Sequence, residues 1–197
     1  MLKRKITAKL EAWKAIAREK ALLVVGARQV GKSFAIREFG KTHYTCFVEI
    51  NLFEDKRARE ALSASVDVSD FISRVTVLSG QAIVPGDTLV LIDEIQEAPD
   101  VVTMAKFLVE DGRCDWAFSG SMLGTEFIEQ LVMRPMDFEE FCWAIGVSGE
   151  ALESVRRCCQ DETPAEAYIH EALMANFRTY IVSGGMPEAV QRLVDSD

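Results

Sequence analysis

A chain of 197 residues with 49% hydrophobic and 27% charged content holds enough apolar side chain for one sizeable core and a small helical appendage, and is too hydrophobic to be a disordered polymer. Its net charge of −9 argues against broad, charge-driven nucleic-acid binding, and leaves Lys3-Arg4-Lys5 as a local basic patch whose plainest reading is a solvated terminus. Cys46, Cys114, Cys142, Cys158 and Cys159 show no C-x-x-C spacing, and with only His43 and His170 beside them they argue against a disulfide framework or a zinc site and read as small buried apolar residues. The apolar runs are strand-sized, and Met1-Leu-Lys-Arg-Lys leads into an amphipathic segment, so neither a signal peptide nor a membrane span is expected and the expected location is the cytoplasm.

From Ile6 to Ala17 the residues Ile6, Leu10, Trp13 and Ala17 fall on one helical face, which serves either as plain core packing or as an adenine-side wall. The apolar, β-branched run Ala21 to Val25 then reads as a buried strand that opens directly into Gly26-Ala-Arg-Gln-Val-Gly31-Lys32-Ser33. That octet is G-x-x-x-x-G-K-[ST], a P-loop. Glycines let the backbone wrap a phosphate chain without Cβ clashes, so that successive N–H groups and the following helix N-terminus face the anion. The nucleotide-binding candidates are therefore Gly26, Ala27, Arg28, Gln29, Val30, Gly31, Lys32, Ser33 and Phe34. Among them Lys32 is expected to reach the β- and γ-phosphates, and the Ser33 hydroxyl to bind Mg²⁺.

The helix after this loop is expected to run from Lys32 to Phe39 and to stop at Gly40. Thr45 to Asn51 reads as a strand, and Phe53 to Ala64 and Val68 to Leu78 as helices with Leu62, Phe71, Ile72 and Val75 inward. After the turn Pro85-Gly86-Asp87, the run Thr88-Leu-Val-Leu-Ile-Asp93-Glu94 has the form of a Walker B strand. Asp93 is the candidate Mg²⁺ ligand beside Ser33, acting through the ion's water shell, and Glu94 the candidate base that orients and deprotonates an attacking water. Alone, such an acidic pair would read as the cap of the next helix. Pro99 opens a helix with Val101, Met104, Ala105 and Leu108 on one face, closed by Gly112, and Cys114 to Phe118 is the next strand. It delivers Ser119-Gly120-Ser121 to the sheet edge where ligands of open α/β folds bind. Ser119 is the candidate sensor of the γ-phosphate or lytic water, with a simple turn serine as the alternative.

Asp137 and Glu140 form a capping-box-like start for a stripe of Phe138, Phe141, Cys142 and Ile145 that ends at Gly146. From Gly149 onward no strand pattern returns. Glu150 to Cys159, Pro164 to Val182 and Pro187 to Val194 read as helices, with Leu173, Phe177 and Tyr180 toward a core. The division falls between Gly124 and Arg134, giving residues 1–134 as a P-loop core and 135–197 as a helical lid with the start of a truncated C-terminal region.

These residues resemble the bacterial and archaeal AAA-like ATPases in which a P-loop domain precedes a C-terminal domain similar to restriction-type nucleases. The resemblance rests on Gly26 to Ser33, Leu91-Ile-Asp-Glu-Ile-Gln96, Ser119-Gly-Ser121, Arg134-Pro-Met-Asp-Phe-Glu-Glu-Phe141 and Tyr180-Ile-Val-Ser-Gly-Gly-Met-Pro-Glu188. The Arg-Gln inside the P-loop and the Gln after the Walker B acids are its most specific marks. It implies an α/β, three-layer αβα fold with a central parallel sheet, followed by a small helical lid. It also implies ATP or ADP and Mg²⁺ as ligands, with Ser119 as sensor 1. Gly185-Met186-Pro187 is similar to the glycine-x-proline motif of related signalling ATPases, which would set Pro187 against the adenine or ribose. The nuclease-like domain, and any nucleic-acid contact made through it, would lie beyond this chain. The family's longer stretch before the Pro-x-x-Phe-Glu-Glu-Phe segment is shortened or missing residues here, and neither Arg113 nor Arg134 sits in an arginine-finger motif.

The function expected is Mg²⁺-dependent hydrolysis of ATP to ADP and phosphate, with a homo-oligomer or a protein partner to supply the missing arginine. A rival of another class is a nucleotide-gated interaction switch hinged near Gly184-Gly185, with little turnover of its own. A small-molecule kinase fits less well, because Asp93-Glu94 looks like a water-activating pair rather than an acceptor pocket.

Overall fold

The computed structural model describes residues 2–120 and 126–196, so Ser121 of the Ser-Gly-Ser motif lies outside the described residues. By its internal contacts the chain divides into two compact units, one of Ile6–Ala27 with Gly31–Met133, the other of Met1–Lys5, Arg28–Val30 and Arg134–Asp197.

The first unit is built on a five-stranded, all-parallel sheet of β1 (Ala21–Val25), β2 (Cys46–Asn51), β3 (Thr88–Asp93), β4 (Asp115–Gly120) and β5 (Ile128–Val132), in the order β2-β3-β4-β1-β5. Parallel strands need covering on both faces, and β3 and β4 are buried along their whole length. One face packs Ala21, Leu23, Val90, Ile92, Trp116 and Phe118 against helices α3 (Lys56–Ser63), α4 (Val68–Ser79), α5 (Pro99–Thr103) and α6 (Ala105–Asp111). Phe71 of α4 meets the Trp116 ring edge-on at 5.7 Å, which adds directionality to the burial. Helix α2 (Lys32–His43) packs on β2, β3 and β4, and α1 (Ile6–Lys14) packs on α2, where Trp13 and Phe39 lie 6.3 Å apart. All four residues of the expected α1 face, Ile6, Leu10, Trp13 and Ala17, are buried.

Several local expectations are corrected. Helix α2 does not stop at Gly40 but runs through it to His43. The glycine is there because β2 passes so close that a Cβ would lie 2.2 Å from the Phe47 ring. The helix opened by Pro99 breaks at Met104 into α5 and α6. Strand β5 was not expected at all; its five residues lie within the stretch taken as a divider, and they pair with β1 from Ala21↔Ile128 to Val25↔Val132. Cys114 and Cys142 are buried, and burial first of all raises their thiols to about 12 and about 11, whereas Cys159 is exposed.

The second unit is helical: α7 (Phe138–Ala144), α8 (Gly149–Gln160), α9 (Ala167–Ser183) and α10 (Pro187–Ser196). Its small core holds Met136, Phe141 and Val190, with Phe138, Tyr180 and Leu193 against them. Asp137 and Glu140 make the full capping box at the start of α7. The expected inward face of α9 is only partly realised, since no α9 residue is fully buried and Phe177 stays 38% exposed. The basic patch is exposed at Lys3 and Lys5 but has partners within its unit. Lys5 Nζ binds Asp137 Oδ2 at 2.6 Å and Glu139 Oε2 at 2.7 Å, and Lys3 lies over the Trp143 ring. Burial raises the Asp137 carboxyl, but the bond to Lys5 and the Glu140 N–H outweigh it and the net direction is down; Glu139 is lowered mainly by its bond to Lys5.

Gly185 has a packing reason of its own. Met136 N–H donates to its carbonyl at 2.7 Å, and a Cβ on Gly185 would fall 2.1 Å from the Met136 carbonyl oxygen. Backbone cannot give way as a flexible side chain can, so Gly185→Ala should cost about 1–3 kcal/mol by overpacking. At about 2–4 °C per kcal/mol for a chain of this size, the melting temperature is expected to drop by roughly 5 °C; an unchanged melt by circular dichroism would refute the contact.

Candidate functional site

Strand β1 ends at Val25, and the chain turns through Gly26 into α2, whose N-cap Gly31 is left-handed at φ 93°. Gln29 is also left-handed, at φ 65°. Glycine takes that conformation without strain, and changes of hand along a short loop create the N–H concavity that anions occupy. Lys32 is buried, and its ammonium donates to the carbonyls of Gly26 at 3.1 Å and Ala27 at 3.0 Å. Two acceptors leave one of its three N–H bonds for a further oxygen. Ser33, the next residue, presents its hydroxyl within 2.9 Å of both carboxylate oxygens of Asp93.

Asp93 is the last residue of β3 and is buried. Around its carboxylate converge Ser33, the fully buried Ser119 hydroxyl from β4, the Glu94 N–H at 3.1 Å and the Asn51 amide from β2 at 3.4 Å. The parallel register puts Asn51 level with Asp93 and Ile92 level with Phe118, which is why the ends of three neighbouring strands meet there. Four donors keep a buried carboxylate solvated by protein, and a hydroxyl with a carboxylate at this separation is the oxygen donor set that Mg²⁺ takes. The residues present thus fit a Mg²⁺–phosphate group.

Glu94 follows in the left-handed region, φ 55° and ψ 47°, at the head of a single 3-10 turn, Ile95–Glu97. Its carboxylate oxygen Oε2 accepts from Gln96 Nε2 at 2.5 Å. On α2, Arg37 grips Glu49 of β2 through two bonds of 2.7 and 2.6 Å; that bond is the main reason its guanidinium is held charged, with Asp93 adding to the field.

The tip of the loop, Arg28–Val30, belongs with the helical unit. There Arg4, named from the sequence only as part of a basic patch, donates to the Val30 carbonyl at 3.0 Å and the Arg134 carbonyl at 2.7 Å, while its Nε lies 3.2 Å from the buried Glu140 carboxylate. Arg28 and Gln29 are exposed, as is Phe34 at the start of α2. A cavity of about 670 Å³ is lined by Gln29 together with Met186, Glu188, Ala189, Arg192 and Leu193. Pro187 is half-buried at the first position of α10 in the same stretch. Of the two arginines weighed as fingers, Arg113 is tied to Asp111 by bonds of 2.7 and 2.9 Å, and Arg134 contributes its backbone carbonyl to Arg4.

Sequence reasoning gave no site role to Asn51 or Arg4, and named Gln96 only as a mark of the resemblance. Asn51 was findable as the last residue of a strand, in the central parallel sheet that the resemblance implies; Arg4 acts across 26 residues to Val30 and 136 to Glu140 and left no local signal.

Comparison with known proteins agrees with this architecture. None of the curated proteins matches the chain in sequence. Among solved structures, the Walker-type ATPase PABY2304 of Pyrococcus abyssi is similar over 100% of this chain and 69% of its own, at 14% identity and a TM-score of 0.51. PCH-2 of C. elegans is similar over 83% of this chain, at 10% identity and a TM-score of 0.44, and this chain spans only 49% of its length. At 14% identity the likeness to PABY2304 is one of fold. Among the described residues no helix is long and apolar enough to cross a membrane. Residues 18–142 match the family described as an AAA domain, and they include the P-loop, the Walker B strand and Ser119; the chain belongs to that family of P-loop nucleotide-binding proteins.

Proposed function

We propose that the protein is a Mg²⁺-dependent ATPase. The observation that carries this reading is the convergence of Ser33 and Ser119 on the buried Asp93, with Glu94 immediately after it and the Lys32 ammonium in the same unit. Lys32 and the loop N–H groups hold the β- and γ-phosphates; Ser33 and Asp93 hold the ion, which when bound neutralises charge on the phosphoryl oxygens. Glu94 orients a water for in-line attack on the γ-phosphorus and takes its proton. The P–O bond to the leaving ADP breaks, and ADP keeps the electron pair. Ser119 senses the γ-phosphate from the end of β4.

With Arg113 engaged by Asp111, an arginine from a second copy or a partner completes the charge stabilisation, a contribution of roughly 10³–10⁵ in P-loop enzymes. Phosphate release should therefore be abolished by EDTA, restored by Mg²⁺, and rise per molecule with protein concentration. Tight Mg²⁺–nucleotide binding with no turnover at any concentration would overturn the hydrolytic reading in favour of a nucleotide-gated switch.

A further inference from the structure

Glutamine 96 does nothing in the scheme above, yet the structure builds a small frame around it. The 3-10 turn Ile95–Glu97 is fixed at both ends. Ile95 is fully buried in the sheet core, and Glu97 pairs with Arg59 of α3 at 2.8 Å. The turn is closed by Glu97 N–H to the Glu94 carbonyl at 3.0 Å and Ala98 N–H to the Ile95 carbonyl at 3.0 Å. From this rigid turn the Gln96 amide reaches back two residues to Glu94 Oε2. On its other side Gly120, at the end of β4, leaves the room the amide needs: a Cβ there would lie 2.3 Å from Gln96 Oε1. Glu94 itself is held in a left-handed conformation that a glutamate adopts only under constraint, and such strain gathers where a side chain must be aimed.

We propose that Gln96 is a positioning residue for ATP hydrolysis, clamping one carboxylate oxygen of Glu94 so that the other is presented to the attacking water. The proposal rests on the ATPase reading. A free glutamate samples several rotamers, most of which place neither oxygen where the water must be oriented; one charge-assisted bond from a rigid donor removes that freedom. Gln96 touches neither phosphate nor ion in this scheme, so it acts on the chemical step and leaves nucleotide affinity alone.

The test compares steady-state ATP hydrolysis, ADP affinity and thermal melting for the wild type, Gln96→Ala and Gln96→Glu. Both variants are expected to lose about 10- to 100-fold in kcat, the range for a misplaced general base, with KM for ATP, ADP affinity and melting temperature near wild type. Gln96→Glu matters because it keeps the shape and removes the donor: a role in packing alone would be preserved in it. Wild-type kcat in Gln96→Ala, a defect confined to KM, or a rise in kcat overturns the positioning role while leaving the ATPase reading intact. A wild type that binds nucleotide and releases no phosphate overturns that reading and this proposal together.

Discussion

Lys32→Ala is expected to abolish tight ATP and ADP binding. Lys32 is buried at the foot of the loop, and among the described residues its ammonium is engaged by the Gly26 and Ala27 carbonyls, so its third N–H and its charge are available to a phosphate chain. Bonds from an ammonium to anionic oxygens contribute about 1.5–3 kcal/mol each. Losing that one bond weakens binding by roughly 10–10² in Kd. The alanine also leaves two loop carbonyls without a donor, but Ala27 is exposed and water can replace the bond there, so the fold should survive. Titration with a fluorescent nucleotide, alongside a melt to show that the variant is folded, checks this; affinity within a few-fold of wild type would remove Lys32 from the site.

Glu94→Gln is expected to behave in the opposite way, retaining nucleotide and losing about 10²–10⁴ in turnover, the usual contribution of a general base. The substitution is nearly isosteric, and its amide oxygen can still accept from Gln96, so the 3-10 turn need not rearrange. Lys32, Ser33 and Asp93 are untouched and continue to hold phosphate and ion. Single-turnover phosphate release measured beside ATP affinity separates the two quantities. Turnover at the wild-type rate would show that Glu94 is not the base, and would direct attention to the carboxylate and hydroxyls gathered at Asp93.

The two variants probe a part of the molecule that was legible in the sequence because its chemistry forces local patterns. Phosphate wrapping demands glycines at fixed spacing before a lysine, and a metal-binding acid at a strand end demands an apolar run before it, so Gly26 to Ser33 and Thr88 to Glu94 were readable as strings. Strand β5 was not readable for the converse reason. Ile-Glu-Gln-Leu-Val has no turn signal of its own, and its strand character comes from pairing with β1, a hundred residues away in the chain. Gly40 misled because glycine usually ends helices, whereas here it admits the Phe47 ring. The Gln96–Glu94 bond depends on a left-handed backbone at a non-glycine residue, which no propensity favours. Nor could Leu173, Phe177 and Tyr180 be ranked by spacing alone, since how deeply each sinks is set by what α9 packs against.

The sheet order also fixes when the site can come into being. Strand β1, which carries the P-loop, is made early in synthesis, yet its two neighbours are β4 and β5, at residues 115–120 and 128–132. Only β2 and β3 can pair first, and they form the far side of the sheet. Until the ribosome has released the chain past Gly120, the apolar Ala21–Val25 segment has no strand to join and must be kept from pairing elsewhere, and its second neighbour follows only at Val132. Long-range parallel pairing of this kind is slow and exposes such segments while it waits. The P-loop is thus framed among the last parts of its own unit, and a nascent chain stalled before β4 would carry Gly26 to Ser33 without either strand that flanks β1.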